Sequence, residues 1–273
     1  MDRIDLNKIE LASWRGEINA NYDCPQLRQA LGQIPQIMTS SEAEVLLASR
    51  NRLVAVNLPV GQGKIKEIVI KEFRPRGLIK LRDWLRGSKA RRSFYGALNL
   101  IKNQIKTAEP IAYLETVSWR GRKEEYFLAT RISQAQEIRF LFQHVQPDQL
   151  DYLLIELASL VRQMHDRGLI HRDLSDGNIL VRQLGPISYE FFLLDPNRVR
   201  LKRKVSSYQR IKNLIRLGLP ASKQKFFLQV YFQNKMPTFG WFWYLWAKRS
   251  FTFWLKLKKW LRLRSLARSL RWQ

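Results

Sequence analysis

The spacing of apolar residues divides the chain into a strand-rich part followed by a mainly helical part. Alternating or short continuous apolar runs predict strands over residues 44–48, 52–56, 65–73, 110–115, 125–132 and 189–195. The glycines of Val60-Gly61-Gln62-Gly63 predict a hairpin turn between the second and third of these strands. Apolar residues at helical spacing predict helices over residues 88–105 and 149–167.

The two ends of the chain have weaker or more unusual patterns. Residues up to about 40 are mixed and polar, and we expect an irregular or helical extension there. Residues 208–219 and 225–232 are typical of short basic amphipathic helices. From Phe253 to Leu261 the apolar residues share one helical face, but after Leu263 the apolar stripe slips to the other side, which predicts a break near residues 262–265.

The segment between the helix at 149–167 and the strand at 189–195 carries the most specific motif. Its sequence, His171-Arg172-Asp173-Leu174-Ser175-Asp176-Gly177-Asn178, follows the pattern H-R-D-x-x-x-x-N, the catalytic loop of protein-kinase-like phosphotransferases. An Asp in such a loop can accept the proton of an attacking hydroxyl, and an Asn five residues later can hold a metal ion. His171 is interpreted as a core histidine that braces the loop, and His144 and His165 as ordinary helix or surface residues.

Two further anchors of the same pattern occur in the expected order. Lys71 ends the run Glu67-Ile68-Val69-Ile70-Lys71, in the context of the V-A-I-K lysine that pairs with nucleotide phosphates. Asp195 follows an apolar strand, where these kinases have the metal-binding Asp of D-F-G. The order of the anchors therefore favours a kinase-like fold.

Three parts of the kinase pattern are absent. The link Ser49-Arg50-Asn51 contains no glycine, so a phosphate cover would have to use backbone amides or the side chains of Arg50 and Arg52. The triplet after the strand is Asp195-Pro196-Asn197, and no acid occurs between Arg86 and Ala108, where a helix normally offers a Glu to the strand lysine. The partner of Lys71 is therefore left open between the nucleotide phosphates, Glu72 and Asp83.

The net charge of +25 is concentrated in the last third of the chain. After Asp195 there are twenty Lys and Arg residues and no Asp or Glu, which implies an anionic partner: phospholipid, lipopolysaccharide, nucleic acid or another phosphorylated polymer. Five of these cations directly follow Asp195 and are predicted to bind an acceptor that carries carboxylates or phosphates. They are Arg198, Arg200, Lys202, Arg203 and Lys204.

The last residues combine this charge with six of the nine tryptophans. Trp prefers the headgroup layer of a membrane, and Lys and Arg are attracted to anionic lipid, so we expect the tail to lie in the membrane interface. The alternative is that its aromatic residues pack on the helical part of the chain. Nucleic acid is a less favoured partner because it gains less from an apolar face. The residues predicted to enter the interface are Trp254, Leu257, Lys258, Lys259 and Trp260.

Other features of the composition fit a cytoplasmic protein. A single cysteine, Cys24, excludes an internal disulfide and fits a reducing compartment. The N-terminus lacks the apolar region of a signal peptide, and no apolar run reaches the roughly 18 residues of a spanning helix. We therefore expect a protein that is peripheral to the cytoplasmic face of the inner membrane.

The motifs from about Val45 to Phe232 resemble the lipopolysaccharide core kinases that phosphorylate Kdo or heptose. The resemblance rests on residues 70–77, 88–94, 171–180 and 194–198. It implies that Lys71 pairs with the phosphates of ATP, that Asp173 is the catalytic base, and that Asn178 and Asp195 hold Mg²⁺. It implies an ATP-dependent kinase whose acceptor is a sugar hydroxyl of a membrane-anchored, anionic glycolipid. The aromatic tail after Lys235 lies outside the resemblance.

These observations predict an α+β, two-lobed protein-kinase-like fold. Its parts are an N-terminal extension (1–41), a small β-rich N-lobe (42–132), a mainly helical C-lobe (133–235) and a basic aromatic tail (236–273). Two other functions stay open. One is a protein Ser/Thr kinase, which is disfavoured because no A-P-E motif follows Asp195. The other is a catalytically inactive kinase fold that binds an anionic membrane.

Overall fold

The computed structural model describes residues 4–48, 51–61, 63–74, 87–116 and 124–260, and these form a mixed α/β structure. The chain divides into two compact units. The first contains the residues up to Ser133 together with Asp195–Arg198. The second contains Gln134–Leu194 and the chain from Val199 onward. The segment Asp195–Arg198 therefore belongs to the first unit, although it is separated in sequence from the other residues of that unit.

The first unit is built on one seven-stranded sheet in which neighbouring strands are antiparallel. The order across the sheet is β1-β2-β6-β7-β5-β4-β3. The strands are β1 (Leu6–Leu11), β2 (Trp14–Asn19), β3 (Glu44–Ala48), β4 (Arg52–Val60), β5 (Lys64–Phe73), β6 (Pro110–Thr116) and β7 (Glu125–Thr130). The helices of this unit are α1 (Pro25–Gly32), α2 (Ile34–Ile37) and α3 (Lys89–Lys102).

Helices cover both faces of this sheet. Successive side chains of a strand point to opposite faces, so apolar residues of one strand can pack against helices on either side. On one face Ile68, Ile70 and Leu128 join a buried cluster with Leu27 and Leu31 of α1. On the other face a second cluster is formed around α3, from Phe73, Ala90, Phe94, Ala97, Tyr113, Phe127 and Ala129. Lys71 has the same strand parity as Phe73, so it belongs to the face that carries α3.

The N-terminal residues differ from the sequence prediction of an irregular or helical extension. β1 and β2 pair with each other, and β2 pairs with β6, so both strands belong to the sheet. A 3₁₀ helix (Ala20–Tyr22) follows, and α1 and α2 come after it. The prediction was wrong for the residues of β1 and β2, whereas α1 and α2 agree with it. Most of β1 is not buried and its sequence has little apolar alternation, so pairing with a neighbouring strand decides its conformation.

The second unit contains two small sheets and five α-helices among its described residues. β10 lies between β11 and β8 in one sheet, and β12 pairs with β9 in the other. The strands are β8 (Gln136–Glu137), β9 (Leu169–His171), β10 (Ile179–Gly185), β11 (Ser188–Leu193) and β12 (Val199–Leu201). The helices are α4 (Ile138–His144), α5 (Pro147–Asp166), α6 (Ser207–Leu214), α7 (Gln224–Tyr231) and α8 (Gly240–Trp260).

Most of the predicted elements are confirmed to within a few residues. The predicted helix at 149–167 is α5, the helix at 88–105 is α3, and the two basic helices are α6 and α7. The predicted strands in the first unit correspond to β3 through β7. Among the residues described, no helix is both long enough and apolar enough to cross a bilayer.

Candidate active site

The residues from Asp173 to Asn178 form a tight loop between β9 and β10. The side-chain amide of Asn178 donates through Nδ2 to the carbonyl oxygen of Asp173 at 2.8 Å. The backbone N–H of Ser175 donates to the same oxygen, also at 2.8 Å. The two donors fix the backbone at Asp173. The loop between Asp173 and Asn178 is short enough for the Asn178 side chain to reach back to the Asp173 carbonyl oxygen and close it. The structure thus brings Asp173 and Asn178 together.

The end of β11 is bonded to this loop. The backbone N–H of Leu194 donates to the carbonyl oxygen of Asn178 at 2.9 Å. A ring nitrogen of His171, Nε2, lies 3.0 Å from the carbonyl oxygen of Leu194. His171 is fully buried, so it has the bracing position that the sequence predicts for it.

A second histidine, His165, lies in a buried hydrogen-bonded chain behind the loop. Nδ2 of Asn213 donates to the carbonyl oxygen of His171 at 2.7 Å, which turns Oδ1 of Asn213 toward Nε2 of His165 at 2.9 Å. Nε2 of His165 is therefore the protonated nitrogen, and Nδ1 lies 2.6 Å from the hydroxyl of Tyr231. Burial lowers the pKa of His165 to about 4, which keeps the ring neutral. The sequence predicts an ordinary helix or surface residue at His165. Its hydrogen-bond partners could not be identified from the sequence because they lie 48 and 66 residues away.

The carboxylate of Asp173 is held by a cation that the sequence does not identify. Nη1 of Arg216 donates to Oδ1 of Asp173 at 2.5 Å. Arg216 follows α6 by two residues and lies 43 residues from Asp173. No motif surrounds it, so only the folded chain identifies the pair.

The first unit pairs the two other predicted nucleotide-site residues with each other. Nζ of Lys71 makes an ion pair with Oδ1 of Asp195, and it lies 5.4 Å from the ring centre of Phe73. Glu72 points to the opposite face of β5 and binds the guanidinium of Arg74 instead. Asp195 is therefore the acid that pairs with Lys71 in the described part of the chain. Asp83, the other acid considered, lies outside the described residues.

The backbone around Asp195 is unusual and tightly packed. Asp195 has a φ of +51°, in the left-handed region that costs most residues about 1–2 kcal/mol. The next residue, Pro196, packs against α3 at Gly96, where an added Cβ would lie 2.1 Å from the Pro196 carbonyl oxygen. Glycine at position 96 thus permits the close approach that holds Asp195 beside Lys71.

The remaining predicted binding residues lie in different places. Arg52 begins β4 with a half-buried side chain, and Arg50 lies outside the described residues. Of the five predicted acceptor-binding cations, Arg200 is half-buried on β12, with its guanidinium 2.7 Å from the carbonyl oxygen of Val199. The other four are exposed: Arg198, Lys202, Arg203 and Lys204. Their role in binding an acceptor stays a prediction.

The tail begins as one long helix, α8, and its inner face packs on the second unit. Tyr244 is fully buried and stacks on Trp241 with ring centres 5.8 Å apart. Nζ of Lys248 donates to the hydroxyl of Tyr244 at 3.0 Å and to the carbonyl oxygen of Leu217 at 3.4 Å. Burial lowers the pKa of Lys248. This face of the tail therefore packs on the helical part of the chain, which is the alternative to membrane binding given in the sequence analysis.

Other residues of α8 are exposed. Trp254 and Trp260 have exposed side chains, whereas Leu257 is half-buried. The side chains of Lys258 and Lys259, and the predicted break at 262–265, lie outside the described part of the chain.

Comparison with known proteins identifies a family. Residues 81–229, more than half of the chain, match the lipopolysaccharide kinase (Kdo/WaaP) family. Matches to solved structures number 1380 chains, and one of them is described as WaaP in complex with acyl carrier protein. That structure has a TM-score of 0.56 and 18% sequence identity, over 76% of this chain and 86% of that chain, which establishes a likeness of fold. No curated protein shows significant similarity.

The matched region contains Asp173, Asn178 and Asp195, and it also contains Arg216. It begins after Lys71 and ends before α8. This chain belongs to the lipopolysaccharide kinase (Kdo/WaaP) family, and it is accordingly a kinase phosphotransferase.

Proposed function

We propose that the protein transfers the γ-phosphoryl group of ATP to a sugar hydroxyl of the lipopolysaccharide inner core, on Kdo or heptose. The observation that carries the proposal is the family match across the loop in which Asn178 closes on the backbone of Asp173. In this role the carboxylate of Asp173 orients the acceptor hydroxyl and takes its proton as the phosphoryl group transfers. Lys71 would hold the phosphates of the nucleotide.

The residues assigned to Mg²⁺ have the donor atoms that this ion prefers. Asn178 uses its amide nitrogen to bond Asp173, which leaves the amide oxygen as a ligand atom. Asp195 supplies a carboxylate. Mg²⁺ is usually bound by one or two protein oxygens together with substrate phosphates and water, so it needs no cluster of acids. Among the described residues there is indeed no group of three His, Cys, Asp or Glu that could hold a metal. Mg²⁺ bound there would neutralise charge on the phosphates.

We assign the two units to the two lobes of a protein-kinase-like fold. The seven-stranded sheet with α3 supports the β-rich lobe, and the five helices described in the second unit support the helical lobe. The boundaries 42–132 and 133–235 remain those that the sequence predicts, with 236–273 as the tail. In this assignment β1 and β2 of residues 1–41 extend the sheet of the β-rich lobe.

The acceptor can be identified by direct transfer. Purified protein with ATP and Mg²⁺ is offered three acceptors: Kdo-terminated lipid A, a heptose-containing core glycolipid and a generic protein substrate. We expect a mass increase of one phosphate on one of the two glycolipids, because the basic segment after Asp195 suits an anionic acceptor. Transfer to the protein substrate alone would instead support the Ser/Thr kinase alternative.

We further propose that α8 docks on the anionic cytoplasmic face of the inner membrane. Residues at helical spacing form one exposed stripe, which we call the outer stripe. It combines four aromatic and two basic side chains: Phe242, Trp246, Arg249, Phe253, Lys256 and Trp260. Aromatic rings favour the headgroup layer, and each cation near anionic lipid contributes about 1 kcal/mol. This stripe suits a lipid surface better than a nucleic acid, because four of its six residues are aromatic.

Neutralising the two cations of the outer stripe tests this proposal in the full-length protein. We expect Arg249→Gln/Lys256→Gln to weaken binding to vesicles of phosphatidylglycerol by about 30-fold, since two cations contribute about 2 kcal/mol. Binding to vesicles of phosphatidylcholine should be weak for both proteins. Flotation of the vesicles measures the bound fraction. The full chain is used because Tyr244 is fully buried, so removing the tail would also expose the surface beneath it.

The aromatic residues of the outer stripe need a matched control. Trp246→Ala/Phe253→Ala removes two exposed rings from the stripe, whereas Phe140→Ala/Tyr152→Ala removes two exposed rings from α4 and α5. The first pair should reduce flotation and the second should not. If both pairs act alike, or if lipid charge makes no difference, α8 does not dock through this stripe.

A further inference from the structure

Arg216 contacts both helix α8 and the catalytic loop. Its guanidinium donates to Oδ1 of Asp173, and the side chains of the two residues are 37% and 35% exposed. An ion pair with this exposure contributes little to stability. The pair therefore has little value as a stabilising contact, and its importance lies in the acid that it holds.

The ring of Phe251 on α8 fixes the position of this guanidinium. The guanidinium carbon of Arg216 lies 5.0 Å from the centre of the Phe251 ring. This distance is within the range of a cation–π contact. A planar guanidinium held by a ring and a carboxylate has few remaining orientations, so the carboxylate it binds is oriented too.

The backbone after Arg216 is held against the same loop. The carbonyl oxygen of Leu217 accepts from Nζ of Lys248 on α8. Gly218 packs on the carboxylate of Asp176, and an added Cβ there would lie 2.2 Å from Oδ2 of Asp176. The segment 216–218 thus lies between α8 and the catalytic loop and contacts both.

We propose that Arg216 is a positioning residue for Asp173 and that Phe251 acts through it. Arg216 binds Oδ1 of Asp173, which directs Oδ2 toward the hydroxyl that is to be deprotonated. The inner face of α8, outside the region of the family match, is then part of the catalytic apparatus. This inference rests on the proposed role of Asp173 as the base. It is independent of which sugar is the acceptor.

The test measures steady-state kinetics of Arg216→Gln, Arg216→Lys, Phe251→Leu and the double variant Arg216→Gln/Phe251→Leu. The acceptor is deacylated, dephosphorylated inner-core oligosaccharide containing Kdo and heptose, so membrane binding plays no part. We expect Arg216→Gln to lower kcat by about 10- to 100-fold, the effect of a misplaced catalytic group, with KM for ATP unchanged. Arg216→Lys should recover part of the loss, because it keeps the charge without the planar fork.

The double variant separates positioning from packing. If Phe251 acts through Arg216, the double variant should have the same kcat as Arg216→Gln, whereas independent effects would multiply. Phe140→Leu is the matched control, since Phe140 is 47% exposed and lies on α4, outside the outer stripe. Its kcat should equal that of the wild type.

Three results would overturn the proposal: an unchanged kcat in Arg216→Gln, multiplied effects in the double variant, or losses that follow the melting temperatures of the variants. The slow hydrolysis of ATP to ADP, in which water replaces the sugar, is measured on the same variants. It keeps the test valid if the oligosaccharide is not phosphorylated. In that case the acceptor assignment fails, whereas the effect of Arg216 on hydrolysis still decides its role.

Discussion

Replacing Asp173 by Asn is expected to lower the rate of phosphoryl transfer by about 10²- to 10⁴-fold, the usual contribution of a positioned general base. Asn has nearly the shape of Asp, and its Oδ1 can still accept the hydrogen bond of Arg216. It cannot take a proton from the acceptor hydroxyl. The fold should therefore persist, because an ion pair this exposed contributes about 0–1 kcal/mol. Single-turnover transfer from ATP measures the rate, and a thermal melt measures the fold.

A matched substitution shows whether the loss is specific. Asp151 is also a half-exposed acid of the second unit in an ion pair, with Lys223 at 2.6 Å. Asp151→Asn removes the same charge from a pair that has no proposed part in the reaction, so its rate should stay near that of the wild type. If Asp173→Asn keeps more than a small fraction of the wild-type rate, Asp173 is not the base.

Replacing Asp195 by Asn is expected to abolish the stabilisation of the protein by ATP in the presence of Mg²⁺. A ligand at 100 times its Kd stabilises the folded state by about 2.7 kcal/mol. For a protein of this size that raises the melting temperature by several degrees. The variant loses the carboxylate that is proposed to bind Mg²⁺, so this rise should disappear. Thermal melts with ATP, with and without Mg²⁺, measure the effect.

The choice of Asn separates charge from backbone conformation. Asp195 has a φ of +51°, and Asn accepts the left-handed region more readily than Ala does. The unliganded melting temperature should therefore change little. Asp23→Asn is the control, because Asp23 is an acid of the same unit that is paired with Arg28 at 2.7 Å. An unchanged Mg²⁺-dependent rise in Asp195→Asn would exclude Asp195 as a metal ligand.

The predicted elements succeeded where the sequence carried a strong local pattern. Strands β4 and β5 are confirmed because their residues alternate with period two, and α5 because its apolar residues recur at helical spacing. β1 and β2 were missed since they have fewer apolar positions and are strands through pairing with each other and with β6. Local preference alone does not decide such a segment.

The candidate site shows the same division. The motif from His171 to Asn178 is contiguous, so its residues could be identified from their spacing. The absence of an acid from the predicted helix at 88–105 was also visible in the sequence, but the acid that pairs with Lys71 was not. Asp195 lies 124 residues from Lys71. It lies beside Lys71 where the backbone at Pro196 packs on Gly96 of α3.

The sequence by itself determined the periodic elements, the order of the predicted kinase motifs and the basic charge after Asp195. Each of these can be identified from short runs of adjacent residues. Tertiary structure alone decided which charges pair and which faces are covered. It placed Arg216 on Asp173 and buried Tyr244, while it left the outer stripe of α8 exposed. Those outcomes depend on contacts between residues far apart in the chain. Such contacts contribute to the free energy of folding only when packing brings the residues together.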